Sequence, residues 1–149
     1  MSLAAETAVE PSGRERLEVM MVSGPRPGMV ETLGFDLVEV GDGRVVFEGV
    51  PNASVYNPIG SVHGGYAATL LDSACGCAVQ SRLSGRQGFT TLELKVSYLK
   101  PMSSDTGPVR AEGRVISLGR RAAFAEATLT DARGRLYATA TSTLLVFDR

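Results

Sequence analysis

Gly65-Tyr66-Ala67-Ala68-Thr69-Leu70-Leu71-Asp72-Ser73-Ala74-Cys75-Gly76-Cys77-Ala78-Val79 is apolar on almost every side. From Gly65 to Leu83 the run is too long for a strand, and a helix that is apolar nearly all round is a buried one. Everything else in the chain is arranged around that helix. Downstream, after a turn at Ser84-Gly85-Arg86, the period changes to two. Leu92, Leu94, Val96 and Tyr98 alternate with Thr91, Glu93, Lys95 and Ser97, and Val109, Ala111, Gly113 and Val115 alternate with Arg110, Glu112 and Arg114. Ala123, Ala125, Ala127 and Leu129 form a third run, and Leu136, Ala138, Ala140, Ser142 and Leu144 a fourth, with Asp131-Ala132-Arg133-Gly134 as the turn between them. Such alternation is the signature of strands with one buried face.

Upstream, Leu33, Phe35 and Leu37 alternate, as do Val45 and Phe47, and Gly41-Asp42-Gly43 reads as their hairpin turn. Pro51 to Val62 is a loop, and Arg14 to Val22 is a short helix stopped by Gly24-Pro25. Residues 1–12 are small, polar and aperiodic, and are expected to be a disordered tail ahead of a single domain over 13–149. The order of elements with tight connections implies an α+β fold. An antiparallel sheet of about five to six strands wraps round one long buried helix, with small inner residues (Ala123, Ala125, Ala127, Ala138, Ala140) where it curves.

Composition narrows the function. The 149 residues carry a formal net charge of −1, with no basic cluster beyond Arg120-Arg121, which disfavours nucleic acid as a partner. No apolar run reaches the roughly 18 residues of a membrane span, and no secretory leader is visible, so a cytoplasmic protein is expected. Cys75 and Cys77 point to different faces of one helix, poorly placed to bridge or to hold a metal, and read as core residues.

The chemistry gathers just before the long helix, in Asn57-Pro58-Ile59-Gly60-Ser61-Val62-His63-Gly64-Gly65. His63 is the only histidine, and it stands where free N–H groups and the positive end of a helix face a ligand. Gly64 and Gly65 allow close approach, and the Gly64 N–H is positioned to receive an oxyanion. Asp72 is a charge in an apolar segment, where a carboxylate must find partners or keep its proton. Asn57 suits either a turn or a site, and the Arg120-Arg121 pair suits either a solvated hairpin or a phosphate. Gly64 and Asp72 are eight residues apart, about 12 Å along a helix at ~1.5 Å per residue, too far to meet on one reacting group. Either they serve different purposes, or two antiparallel helices related by a two-fold axis bring one chain's Gly64 beside another's Asp72.

The loop Asn57…His63-Gly64-Gly65, Asp72 after it, the strand from Thr91 to Pro101 and the Gly119-Arg120-Arg121 hairpin together resemble the hotdog-fold acyl-CoA thioesterases, the phenylacetate-pathway type in particular. The resemblance spans roughly residues 30 to 147. It implies a hydrolase that cleaves an aromatic or medium-chain acyl-CoA to free acid and CoA. In that family the histidine–glycine loop binds the thioester carbonyl, here the Gly64 N–H with His63 supporting the loop. The upstream Asn57 positions thioester or water, and Asp72 of the partner subunit is general base or nucleophile. Thr91 assists it, with Thr90 the fallback. CoA would lie against Gly65, Glu93, Tyr98 and the stretch Ser117, Leu118, Gly119, Arg120, Arg121 and Ala122. A homodimer with shared sites, paired into a dimer of dimers, is implied, with neither metal nor separate cofactor. Gly60 stands where hotdog hydratases carry a histidine, which disfavours a hydratase. A non-catalytic acyl-CoA-binding protein would have no use for Asp72.

Overall fold

The computed structural model describes residues 8–149, so the expectation for the tail lies outside the described residues up to residue 7. Ser12 already belongs to the fold: its hydroxyl accepts a hydrogen bond (3.2 Å) from the Glu15 N–H and caps α1 (Gly13–Val22). The Gly13 N–H donates to the Leu83 carbonyl (3.0 Å), and Leu17 is buried, so α1 is fastened beside the end of the long helix.

A second helix, α2 (Gly28–Leu33), corrects the sequence reading of this region. Alternation alone groups Leu33 with Phe35 and Leu37, but Gly34 at φ 68° closes the helix first. Only Phe35 and Leu37 lie in strand β1 (Phe35–Val40), which pairs with β2 (Arg44–Gly49). Six residues are too few for helical periodicity to show, and Leu33 falls into the strand's phase by accident.

The long helix, α3 (Gly64–Gln80), leads into β3 (Gln87–Tyr98), β4 (Val109–Leu118), β5 (Ala122–Asp131) and β6 (Leu136–Asp148). It begins one residue earlier and ends three earlier than its apolar run, because Ser81 turns inward to bond the Gly43 N–H (2.8 Å) and the Ala78 carbonyl (2.6 Å). The six strands form one antiparallel sheet in the order β1-β2-β4-β5-β6-β3. α3 therefore carries the chain across the whole sheet, from β2 to the far edge. The inner alanines at 123, 125, 127, 138 and 140 are buried as expected. Gly113 marks the closest crossing: a Cβ there would collide with the Ala74 carbonyl oxygen and lie 2.9 Å from the Cys75 nitrogen.

The alternation in β3 is broken by a β-bulge between Thr91 and Glu93. Leu92, expected on the buried face with Leu94 and Val96, is 61% exposed instead. Thr91, expected on the opposite face, turns inward toward α3, and Leu94 and Val96 pack on the core as expected.

Candidate active site

The N-terminus of α3 is built by the loop before it. Tyr56 and Val62 pair across that loop, the Val62 N–H donates to the Met102 carbonyl (2.9 Å), and the His63 N–H donates to the Val55 carbonyl (2.8 Å). His63 is the N-cap, with Nδ1 accepting from the Gly65 N–H at 2.8 Å. An accepting Nδ1 carries no proton, so in the neutral ring the proton sits on Nε2. Because His63 takes the Gly65 N–H, the Gly64 N–H is the donor left over, with no acceptor among the described residues. On the other side, the Tyr98 hydroxyl donates to the Gly64 carbonyl (2.7 Å). A Cβ on Gly64 would lie 3.0 Å from the Tyr98 hydroxyl and ring, so a side chain there would push the tyrosine outward. Gly64 lines a pocket of about 310 Å³ together with Val62, His63, Tyr98, Lys100 and Met102.

Asn57 spends its carboxamide on its own turn. Its Oδ1 accepts from the N–H groups of Ile59 and Ser61, both at 3.1 Å, and its Nδ2 donates to Ser61 Oγ at 3.1 Å. Ser61, which the sequence did not single out, is the partner that fixes Asn57. The Ile59 N–H, two residues after Asn57, makes the Asx-type turn, and the Asn57-Pro58 pair is its sequence signal.

Asp72 is half-buried in the middle of α3, and the Thr91 hydroxyl donates to its Oδ1 at 2.9 Å. The bulge at Leu92 gives Thr91 that direction, while Thr90 and Glu93 are exposed on the outer face. Burial, and second to it the Asp72 charge, pushes the thiols of both Cys75 and Cys77 up to about 12. At neutral pH they stay protonated, which removes them as nucleophiles and metal ligands.

The hairpin from Ser117 to Ala122 closes with a bond from the Gly119 N–H to the Ala122 carbonyl (2.8 Å). Arg120 and Arg121 are exposed there and form no ion pair among the described residues. Register places Ala123 beside Leu144 and Leu144 beside Thr91. The hairpin thus sits at Asp72's end of the sheet, two strand spacings or ~10 Å from β3. Two groups result in one chain: Gly64 with His63 and Tyr98, and Asp72 with Thr91 and the hairpin. About 12 Å of helix separates them. A larger hollow of about 610 Å³ lies on the outer sheet face, lined by Lys95, Glu112, Arg114 and Glu126, and contains neither group.

A six-stranded antiparallel sheet wrapped on one long helix is the hotdog fold of the thioesterase structures it superposes on. The Thioesterase superfamily matches residues 59–138, more than half of the chain, and the protein belongs to that family. It is 31% identical over 107 residues to the proofreading thioesterase EntH of Klebsiella pneumoniae, covering 72% of this chain and 77% of that protein. It is 30% identical over 103 residues to human acyl-coenzyme A thioesterase 13, covering 68% and 72%. The structure of a phenylacetic acid degradation-related protein of Ralstonia eutropha superposes with a TM-score of 0.77 at 29% identity, covering 87% of this chain and 98% of that one. Among the described residues no helix is long and apolar enough to cross a membrane.

Proposed function

We propose that this protein hydrolyses an acyl-CoA at a site shared between two copies of the chain. The observation that carries the reading is the pairing of a helix-end N–H without an acceptor at Gly64 with an acid oriented by Thr91 too far along the same helix to reach it. Two such helices running antiparallel about a two-fold axis bring the groups together. The thioester carbonyl oxygen then rests on the Gly64 N–H, where charge develops as the carbonyl carbon becomes tetrahedral. His63 holds the N–H in place by capping its neighbour. Asn57 shapes the loop and keeps an Nδ2 hydrogen for thioester or water.

Asp72 of the second copy serves as base or nucleophile. As base it takes a proton from water while the oxygen bonds to the carbonyl carbon; collapse breaks the C–S bond, and the proton passes to the departing CoA sulfur. As nucleophile it forms an anhydride that water then opens. Both routes give acid and thiol. The thiolate leaves readily, so one carboxylate and one fixed donor suffice without a serine triad. CoA would extend along Glu93 and Tyr98 toward the hairpin that carries Arg120 and Arg121. Pairing of such dimers into a tetramer belongs to the same reading. The direct test is thiol release from a panel of acyl-CoAs; no release from any of them sinks it.

Shared sites have their own consequence. Take one inactive variant altered at the loop, His63→Ala, and another at the acid, Asp72→Ala. Mixed dimers contain one site with both defects and one with neither, so co-refolding is expected to restore part of the activity. Heterodimers that form by mass yet stay inactive would place the site within a single chain.

Replacing Arg120 and Arg121 together by Ala is expected to raise KM for acyl-CoA by roughly tenfold, the order of one hydrogen bond to a charged group. The rise should shrink in high salt and be absent for a short thioester lacking the nucleotide. Equal effects on both substrates would remove the hairpin from the CoA site.

A further inference from the structure

One end of the sheet's outer face is apolar, and the packing of a single chain does not account for it. On β5 the outward positions run Phe124, Glu126, Thr128, and on β6 they run Thr139, Thr141, Thr143, Leu145, Phe147. Both strands change from polar to apolar at the level where Phe124 pairs with Thr143, on the side of the Ser117–Ala122 hairpin. Two bulges add to the same end. The extra residue of the β4 bulge, between Val115 and Ser117, is Ile116, and that of the β3 bulge is Leu92. Ser117 pairs with Phe124 and Thr143 with Glu93, so both extruded side chains stand at that same level, and neither packs on the core. Phe147 lies across Gly88 of β3, its ring 2.7 Å from where a Cβ would be. Ile116, Phe124, Leu145, Phe147 and Leu92 thus form one band over four strands, each between 37 and 61% exposed. They present on the order of 500 Å² of contiguous apolar surface, toward the top of the range for the largest patch on a monomer.

Area and charge together say what covers the band. Two such bands face to face remove about 1,000 Å² from water, the size a stable contact needs. Beside the band the outer face carries charges of both signs. Glu126 and Lys95 flank Thr141 on either side, two strand spacings or ~10 Å apart, and neither forms an ion pair among the described residues. A second copy turned about a two-fold axis offers a base to the acid and an acid to the base, whereas a partner of a single charge is repelled by one of them. We infer that this band docks against the same band of a second copy, sheet against sheet, and that it is the surface through which two shared-site dimers pair. The count of four chains rests on the shared-site reading; the contact itself does not.

The test is the mass of the full chain by sedimentation equilibrium over a range of concentrations. It compares wild type, the double variant Phe124→Glu with Leu145→Glu, and Thr128→Glu as a control on the polar part of the same face, with a thermal melt of each to check the fold. Wild type is expected as four chains and the double variant as two, with the dissociation constant raised about hundredfold or more, the order of losing two anchors inside one interface. Thr128→Glu is expected to remain at four. Phe124→Ser, which adds no charge, should move the same equilibrium in the same direction by less. A fall from two chains in wild type to one in the double variant keeps the docking and sinks the shared-site pairing. A mass that the folded double variant leaves unchanged, at any number of chains, overturns the inference. Dissociation by Thr128→Glu as complete as that of the double variant also overturns it, because the contact would then lie on the polar part of the face. Phosphatidylcholine vesicles that bind wild type but not the double variant, with equal masses for both, would make the band a lipid-facing surface and overturn it as well.

Discussion

Asp72→Asn is expected to lower kcat for acyl-CoA hydrolysis by on the order of 10² or more while the protein stays folded. The carboxamide has the carboxylate's shape, and its Oδ1 still accepts the Thr91 hydroxyl that holds Asp72 at 2.9 Å. It has neither a basic oxygen to take a proton from water nor a charge to form an anhydride. KM should move little, because the phosphate contacts are elsewhere. The measurement is steady-state thiol release, with a thermal melt to show that the fold is intact. Turnover near the wild-type rate would make Asp72 a structural residue that serves only Thr91.

A large loss of stability is expected at Gly113. A Cβ there meets the backbone of α3 itself, the Ala74 carbonyl and the Cys75 nitrogen, which no rotamer change relieves. Gly113→Ala is therefore expected to cost about 3 kcal/mol, the upper end for overpacking a tight contact. Gly113→Val should exceed that and leave little folded protein, since domains hold only about 5–15 kcal/mol in reserve. Gly28 is a useful control: a Cβ there meets nothing within 4 Å, and Gly28→Ala should stay within about 0.5 kcal/mol in urea titration. An equally mild Gly113→Ala would mean that α3 does not press on the sheet at this point.

Much of the fold was open to sequence reading because its signals are local and repeated. The apolar run of α3 and the alternation along β5 and β6 each extend over enough residues for period to identify them. α2 is too short to show a period, and Leu33 slipped into the phase of the next strand across Gly34. At the site, His63 and Asp72 stood out by chemistry, a lone imidazole at a helix start and a lone carboxylate in an apolar helix. Thr91 did not: strict alternation puts it on the wrong face, and only resemblance pointed to it. Whether a strand bulges is decided by what its two ends must contact, which no window of sequence contains.

Thr91 reaches Asp72 and Tyr98 reaches Gly64, both from the helix-facing side of one strand. The separation between these two residues is odd, and a regular strand shows the same face only at even separations. Leu92 supplies the missing step, so the extruded leucine sets the parity on which both tethers depend. The length of β3 between Thr91 and Tyr98 then behaves as a counted quantity. Deleting Leu92 would leave a straighter strand able to keep either tether but not both, whereas lengthening the hairpin at Asp131–Gly134 carries no such arithmetic. Length variation in this fold is expected to collect in its turns and to avoid this strand.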